Sequence, residues 1–197
     1  MFANDICRPL DPMCLLAPVF VKSYPAENYT LTIRPFCVTT DMDALYGWLE
    51  EQAGLSLHDK DSPRKELLQT CIDILESNYS QSLLCLLDDK PVCQADIYKA
   101  PFNEIFMYVD SRAGDFAFRP IMSPYVTLRN AYVNIVKAYL EYLFSFEAVE
   151  RVVTYLPVYD EWSNHLLKNA GFEYLDTKQI LSGVSNLYEC RKNKKSR

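Results

Sequence analysis

The sequence predicts an α/β protein of the α+β type, in which a mixed and mostly antiparallel sheet of about six or seven strands is flanked by about four helices. Three observations indicate this fold class. Strand-like and helix-like segments follow one another along 197 residues without an internal repeat. Each helical segment has one apolar face, which needs a sheet to cover it. Hydrophobic residues make up 49% of the chain, enough for one sizeable core.

The N-terminal part of the sequence predicts an extended arm, one strand and two helices. Residues 1–29 contain apolar runs that prolines interrupt, so we expect an arm that lies on the domain rather than a helix. Residues 30–36 alternate between apolar and polar side chains, as a half-buried strand does. We expect the first helix to begin at Thr40 as its cap, and the second to begin at Pro63.

The rest of the chain predicts further strands around two more helices. A long helix over 128–146 has apolar residues at helical spacing, and a short helix ends at Gly171, because glycine readily takes the left-handed conformation. Short runs rich in apolar and β-branched residues predict the strands, at 82–87, 92–98, 104–109, 115–122, 151–156, 172–181 and 184–190. We therefore expect a single domain over 30–190, followed by a basic tail over 191–197.

The charge distribution bounds the class of partner. The chain has 20 Lys and Arg against 26 Asp and Glu, for a net charge of −6. The last seven residues hold five of the positive charges and no acidic residue, so the preceding chain is more acidic still. An acidic body repels phosphate backbones, which argues against a nucleic-acid partner. We interpret the basic tail as a solvated chain end.

The cysteines and histidines predict no metal site. The chain has seven cysteines and two histidines, without the Cys-x-x-Cys pairs that structural zinc sites use. Cys71 and Cys85 lie in apolar runs and are expected to be buried thiols in a reduced compartment.

The sequence has no run of about 18 apolar residues that would predict a membrane span. It also begins without the pattern of a signal peptide, so we expect a cytoplasmic protein.

The order of elements in the C-terminal part is the most informative feature. A long helix is followed by a buried strand and by a short helix that ends in Asn169-Ala170-Gly171-Phe172. This arrangement resembles the closing half of the GCN5-related N-acetyltransferases. Glu141-Tyr142-Leu143-Phe144, followed by Arg151-Val152-Val153, is similar to the branch that acylates hydroxylysine in aerobactin-type siderophore synthesis. The element order from Thr30 onward also fits that fold.

The resemblance implies an N-acyltransferase that uses acetyl-CoA or another acyl-CoA, with a small-molecule amine or hydroxylamine as acceptor. In this family the amine attacks the thioester directly, and the N-terminus of the long helix holds the CoA pyrophosphate. Arg129 matches the family's arginine at that helix end. Leu128, Asn130 and Tyr132 stand where the siderophore branch has glycines, so the motif is degenerate. For Arg119 three interpretations stay open: it contacts the 3′-phosphate of CoA, it contacts a substrate carboxylate, or it faces water.

The resemblance also bears on the groups that transfer protons. The family's tyrosine acid corresponds to Leu167, which cannot titrate. The titratable groups near the end of the buried strand are therefore the candidates for catalysis, and these are Tyr155, Tyr159, Asp160 and His165. Among these side-chain types imidazole titrates nearest to neutral pH, which favours His165 as the base.

Each of these candidates also has a structural interpretation. Asp160 is a natural N-cap for the short helix, His165 fits a partly buried and hydrogen-bonded histidine, and Tyr132 fits the core. Asn164 is expected to face solvent. Two functions stay open: an acyl-CoA-dependent N-acyltransferase, and a non-catalytic relative that keeps the fold as a binding or scaffold protein. A homodimer is left open as well.

Overall fold

The computed structural model describes residues 5–53, 61–126 and 129–193. Within them the chain forms an eight-stranded sheet, mixed and mostly antiparallel, with four α-helices, and this confirms the predicted fold class. The strands are β1 Phe20–Tyr24, β2 Tyr29–Pro35, β3 Ser80–Leu87, β4 Lys90–Lys99, β5 Asp115–Met122, β6 Arg151–Pro157, β7 Glu173–Ile180 and β8 Gly183–Arg191. The helices are α1 Val38–Ala53, α2 Asp61–Leu75, α3 Arg129–Phe144 and α4 Glu161–Ala170.

The first strand lies within the segment that the sequence predicted as an arm. β1 pairs antiparallel with β2, so that Phe20 faces Ile33 and Tyr24 faces Tyr29. The sheet therefore has eight strands rather than about six or seven. A hairpin was not expected here because the prolines before and after β1 suggested an irregular chain.

The predicted strand over 104–109 is wrong. Glu104–Met107 is a single turn of 3-10 helix, and the side chain of Asn103 caps it by accepting a hydrogen bond from the N–H of Ile105. Ile105 and Phe106 are buried side by side. A short apolar run of this kind has no clear period, so the pattern alone does not separate a strand from a helical turn.

The chain divides into two compact units, which we describe separately. The N-terminal unit comprises Cys7–Ile97 and Pro120–Thr127, and the C-terminal unit comprises Met1–Ile6, Tyr98–Arg119 and Leu128–Arg197. In the N-terminal unit β1, β2 and β3 are antiparallel neighbours. The apolar faces of α1 and α2 form a core with one residue that follows β2 and one residue of β3. Its members are Phe36, Val38, Met42, Leu45, Trp48, Cys71, Leu75 and Leu84.

Helix α1 begins at Val38, two residues before the start predicted at Thr40. The carboxylate of Asp41 accepts a hydrogen bond from the N–H of Cys37 at 2.8 Å. The same carboxylate accepts two hydrogen bonds from the guanidinium of Arg34, each at 2.7 Å. The helix start is therefore stabilised by a partly buried ion pair with β2, which no local cap pattern reveals.

Residues before β1 make main-chain hydrogen bonds within the N-terminal unit. The N–H of Leu10 donates to the carbonyl of Leu75 at 2.8 Å, and the N–H of Val38 donates to the carbonyl of Pro12 at 2.9 Å. Leu15 is nevertheless 57% exposed. The division of the chain into arm, domain and tail stays a prediction.

The C-terminal unit is built around β6. This strand pairs in parallel with β5 on one edge and antiparallel with β8 on the other, and β8 pairs with β7. On one face of these strands the ring of Phe118 packs against Tyr139 of α3 and against Phe172, with ring centroids 5.5 and 6.4 Å apart. On the other face the 3-10 turn covers an apolar cluster of Ile105, Phe106, Ala117, Val153 and Leu187.

A buried ion-pair network, here called the Arg151 clamp, joins Arg151 to Asp115 and Glu189. The guanidinium of Arg151 donates to Asp115 at 2.9 Å and 2.5 Å and to Glu189 at 3.0 Å. It also donates to the carbonyl of Asp110 at 2.6 Å. Burial tends to raise the pKa of Glu189, but hydrogen bonds from Arg191 and Arg151 outweigh burial, so this pKa is lowered. The clamp thus ties β5, β6 and β8 together at the first residues of β6.

Gly114 precedes β5 in a conformation that excludes a side chain. Its φ is +92°, and a Cβ there would lie 3.0 Å from Cγ of Glu150 and 3.2 Å from the carbonyl oxygen of Ala148. We expect Gly114→Ala to lower the free energy of unfolding by about 1–3 kcal/mol, as measured by urea denaturation. The control is Gly47→Ala in α1, where a Cβ meets nothing within 4 Å. That change should raise the free energy of unfolding by about 0.8–1.0 kcal/mol, and equal effects of both would contradict the prediction.

The cysteines are free thiols. Cys71 and Cys85 are buried as predicted, and burial raises the pKa of both thiols to about 12.

Within the described ranges, no helix is both long and apolar enough to cross a bilayer. The same ranges contain no group of three or more His, Cys, Asp or Glu side chains arranged to hold a metal ion.

Candidate functional site

The parallel ladder between β5 and β6 is short. Their ladder joins Asp115 to Arg151, Phe116 to Val152 and Ala117 to Val153, and within the described parts of both strands it ends there. β6 nevertheless continues to Pro157, and its other edge stays paired with β8 along its whole length. Beyond Val153 β6 therefore has one edge whose main-chain N–H and C=O groups are not used by β5. A strand edge of this kind is able to bind an extended ligand.

Tyr155 lies on β6 just beyond the last pair of that ladder. Residues two apart in a strand point to the same face, so Tyr155 shares a face with Val153, and both contact the apolar cluster under the 3-10 turn. The hydroxyl of Tyr155 donates a hydrogen bond to the carboxylate of Glu104. By the same alternation Arg119 of β5 lies on this face, two residues after Ala117.

Glu104 is the first residue of the 3-10 turn, and sequence reasoning missed it. The turn is held in place by the Asn103 cap and by burial of Ile105 and Phe106. The prediction of a strand over 104–109 hid this arrangement, although an asparagine before an acidic residue is a common start of a helical turn. The local signal was therefore present, but the partner of Glu104 is 51 residues away in sequence.

The surroundings of Tyr155 keep its hydroxyl protonated. Burial raises the pKa of Tyr155, and the hydrogen bond to the Glu104 carboxylate raises it further. The positive charge of Arg119 and a hydrogen bond with Ser182 act in the opposite direction without reversing the shift. The site therefore contains a neutral phenol that is directed at a carboxylate, with a guanidinium nearby.

Asp160 caps helix α4, as its structural interpretation predicted. Its carboxylate accepts a hydrogen bond from the N–H of Ser163 at 3.0 Å. At the other end of the helix Gly171 takes the left-handed conformation with φ of +104°, and the N–H of Phe172 donates to the carbonyl of Leu167 at 3.0 Å. Both ends of α4 follow from the sequence.

The prediction that Asn164 faces solvent is wrong. Asn164 is 7% exposed, and its amide nitrogen donates to the carbonyls of Pro157 at 2.9 Å and Asp160 at 2.6 Å. Its amide oxygen accepts hydrogen bonds from Asn186 at 2.9 Å and from the buried hydroxyl of Tyr188 at 2.6 Å. This side chain joins α4 to the ends of β6 and β8, because it can donate and accept at the same time.

The other predicted catalytic residues are not brought to Tyr155. Tyr159 is 84% exposed, and His165 is exposed on α4 rather than partly buried. In the described part of the chain, no hydrogen bond or charge interaction joins either residue to Tyr155. Their catalytic roles stay predictions.

The predicted CoA phosphate site lies at the N-terminus of α3. The helix begins at Arg129, but Leu128 and the side chains of Arg129 and Asn130 lie outside the described parts of the structure. Tyr132 is 8% exposed, and its ring packs edge-on against Trp162 of α4 with centroids 4.8 Å apart. The interpretation of Tyr132 as a core residue is confirmed.

Solved structures with a similar fold include proteins that bind CoA. An uncharacterized protein (bh2621) from Bacillus halodurans has a TM-score of 0.76 and 20% identity, over 91% of this chain and 93% of that one. AAC(6')-Ib in complex with paromomycin and acetyl-CoA has a TM-score of 0.68 and 18% identity, over 85% and 97%. A chimera of the spermidine N-acetyltransferase SpeG from Vibrio cholerae has a TM-score of 0.65 and 14% identity, over 83% and 96%. At these identities the likeness shows the fold.

The family of the chain follows from its sequence as a whole. No protein of curated function matches it. Residues 38–180 match the family described as Acetyltransferase (GNAT) domain, and this match covers most of both units. The divergence of β5 and β6 after Val153 lies within the matched range. The chain belongs to the GNAT acetyltransferase family.

Proposed function

We propose that the protein is an acetyl-CoA-dependent N-acetyltransferase that acts on an amine or hydroxylamine group of a small molecule. The observation that carries the proposal is the separation of β5 and β6 after three residue pairs in a chain of this family. Two proteins of similar structure support it. AAC(6')-Ib is an aminoglycoside acetyltransferase whose structures contain acetyl-CoA or coenzyme A, and SpeG is a spermidine N-acetyltransferase. The motif similarity around Glu141-Tyr142-Leu143-Phe144 adds a hydroxylysine-like acceptor to these candidates.

The edge of β6 that the described part of β5 leaves unused beyond Val153 suits the pantetheine arm of the co-substrate. An amide of that arm can pair with main-chain groups beyond Val153, which would place the thioester close to Tyr155. At the other end of the co-substrate, the N–H groups at the start of α3 and the side chain of Arg129 would hold the pyrophosphate. Asn130, Leu128 and Arg119 stay our candidates for further phosphate contacts.

The reaction itself needs few groups from the protein. The amine nitrogen attacks the thioester carbonyl carbon, a nitrogen–carbon bond forms and the carbon–sulfur bond breaks. The nitrogen loses one proton and the sulfur gains one, so a group that moves protons at neutral pH accelerates the reaction. Tyr155 is the candidate that the fold holds at the separation of the strands, with His165, Asp160 and Tyr159 as further candidates.

Binding of acetyl-CoA is the first test. At 100 times the dissociation constant, acetyl-CoA should stabilise the protein by about 2.7 kcal/mol, which corresponds to a rise in melting temperature of about 5–10 °C for a chain of this size. ADP serves as the control for binding through the nucleotide alone. Arg129→Ala should reduce the rise, and Arg112→Ala, which changes an exposed arginine, should not. No rise with acetyl-CoA would contradict the proposal.

A second candidate function is a non-catalytic acyl-CoA-binding or scaffold protein. It is favoured by the residues at the start of α3, where Leu128, Asn130 and Tyr132 replace the glycines of the siderophore branch. Release of free thiol from acetyl-CoA, measured with spermidine, kanamycin and hydroxylamine, separates the two functions. Binding of acetyl-CoA without acceptor-dependent release would support the second one.

A further inference from the structure

We propose that Tyr155 and Glu104 form a proton relay, in which Tyr155 takes a proton from the attacking nitrogen while passing its own proton to Glu104. This inference rests on the proposed acetyl transfer and assigns roles to two residues within it. Tyr155 would touch the substrate and is the catalytic residue. Glu104 acts through Tyr155 and is a positioning residue.

The direction of the hydrogen bond sets the direction of the relay. A phenol has one hydrogen, and in Tyr155 it is donated to the carboxylate of Glu104. Any partner other than Glu104 can therefore approach the phenolic oxygen only as a donor, as the side chain of Ser182 does. The N–H of an attacking amine or hydroxylamine is such a donor, so the arrangement accepts a proton from substrate.

The charges around Tyr155 favour a relay over a free phenolate. Three groups face the hydroxyl: Glu104 from the 3-10 turn, Arg119 from β5 and Ser182 from the turn before β8. Burial and the negative charge of Glu104 disfavour loss of the proton from Tyr155 alone, because the pKa of the hydroxyl is raised. If Tyr155 accepts one proton while it donates its own to Glu104, no phenolate forms. The carboxylate of Glu104 then carries the proton until the carbon–sulfur bond breaks.

The position of the pair is fixed by packing on both sides. Val153 and Ala117, the last pair of the β5–β6 ladder, lie in the same apolar cluster as Ile105 and Phe106 of the turn. The ring of Tyr155 packs against this cluster. Glu104 and Tyr155 are therefore held where the two strands separate, and a site for transfer needs such rigid placement.

The proton balance closes within the site. As the nitrogen–carbon bond forms, one nitrogen proton moves to the Tyr155 oxygen and the proton of Tyr155 moves to Glu104. As the carbon–sulfur bond breaks, the proton returns from Glu104 through Tyr155 to the thiolate sulfur. Both residues end in their starting state, and the products are the amide and the free thiol of CoA.

The test compares Tyr155→Phe, Glu104→Gln and the double variant in thiol release from acetyl-CoA, with hydroxylamine as the acceptor. Each single change should lower kcat by about 10²–10⁴-fold, and the double variant should lose no more than the worse single variant, because one relay is lost in each case. The KM for acetyl-CoA should stay unchanged. In Glu104→Gln the lost rate should return as pH rises, since hydroxide can then remove the proton, and Glu104→Asp should retain part of the rate.

Matched controls are Tyr174→Phe and Glu173→Gln on β7, which change exposed side chains of the same types. Three results would overturn the relay. The first is an unchanged kcat in the single variants, and the second is a double variant whose loss in kcat is the product of the two single losses. The third is a loss in Glu104→Gln that no rise in pH recovers. Wild type that binds acetyl-CoA but releases no thiol with hydroxylamine would overturn it as well. Wild type that does not bind acetyl-CoA would overturn the proposed function instead.

Discussion

Replacing Arg151 with alanine should lower the free energy of unfolding by about 3–5 kcal/mol, because it leaves the buried carboxylate of Asp115 without its counter-charge and removes one of the two arginines that contact Glu189. Asp115 and Glu189 are only 4% and 8% exposed, and the guanidinium of Arg151 contacts both. The loss can be measured by urea denaturation at neutral pH. The loss in free energy should be large, because it reflects the buried charge that remains after the substitution and not only the ion pairs that are removed.

The control for this change is Arg191→Ala. Arg191 also contacts Glu189, but it is 59% exposed, so its removal should cost about 1 kcal/mol or less. If both variants lose the same amount, or if Arg151→Ala loses less than about 1 kcal/mol, the clamp is not the stabilising feature that its burial indicates.

Asn164→Leu should lower the free energy of unfolding by about 2–5 kcal/mol, because the buried hydroxyl of Tyr188 loses its acceptor and the three other hydrogen bonds of the Asn164 side chain are lost with it. The hydroxyl of Tyr188 is fully buried and donates to the amide oxygen of Asn164. The amide nitrogen of Asn164 donates to the carbonyls of Pro157 and Asp160. Leucine has the same branched skeleton as asparagine and leaves no cavity, so the loss does not come from missing volume. Thermal or urea denaturation gives the value.

Asn169→Leu is the matched control, because Asn169 lies on the same helix and is exposed. A surface change of this kind should stay within about 0.5 kcal/mol. If Asn164→Leu is as mild as Asn169→Leu, the network around Asn164 contributes little and its burial is incidental.

Much of the fold could be predicted from local patterns, and the parts that could not share one cause. Periodicity gave the helices and most strands, and Asp160 and Gly171 marked both ends of α4 because caps are local chemistry. The start of α1 and the buried state of Asn164 depend on partners in other elements: Arg34 of β2, seven residues before Asp41, and Asn186 and Tyr188 of β8, 22 and 24 residues after Asn164. The 3-10 turn depends on the burial of Ile105 and Phe106. A sequence pattern contains the residue types of such partners but not their distance in space.

The candidate site shows the same division. Tyr155 is a candidate because titratable groups near the end of a buried strand tend to face a ligand. Its hydrogen bond with Glu104 could not be predicted, because the two residues are 51 positions apart in the sequence. His165 was favoured for its chemistry alone, and the structure leaves it exposed. The side chains at the start of α3 lie outside the described parts, so the phosphate contacts stay a prediction.

The alternation of β6 has a consequence for the fidelity of folding. Arg151, Val153 and Tyr155 occupy successive positions on one face, so a charged residue, an apolar residue and a titratable residue are all placed by the same strand register. A slip of one residue against β8 would turn all three to the opposite face. It would also withdraw Arg151 from its carboxylates, and the misaligned form would be strongly destabilised. The ion pairs that stabilise the native register of β6 thus also disfavour the shifted register. In a stably folded molecule Tyr155 therefore lies on the same face as Arg151 and Val153.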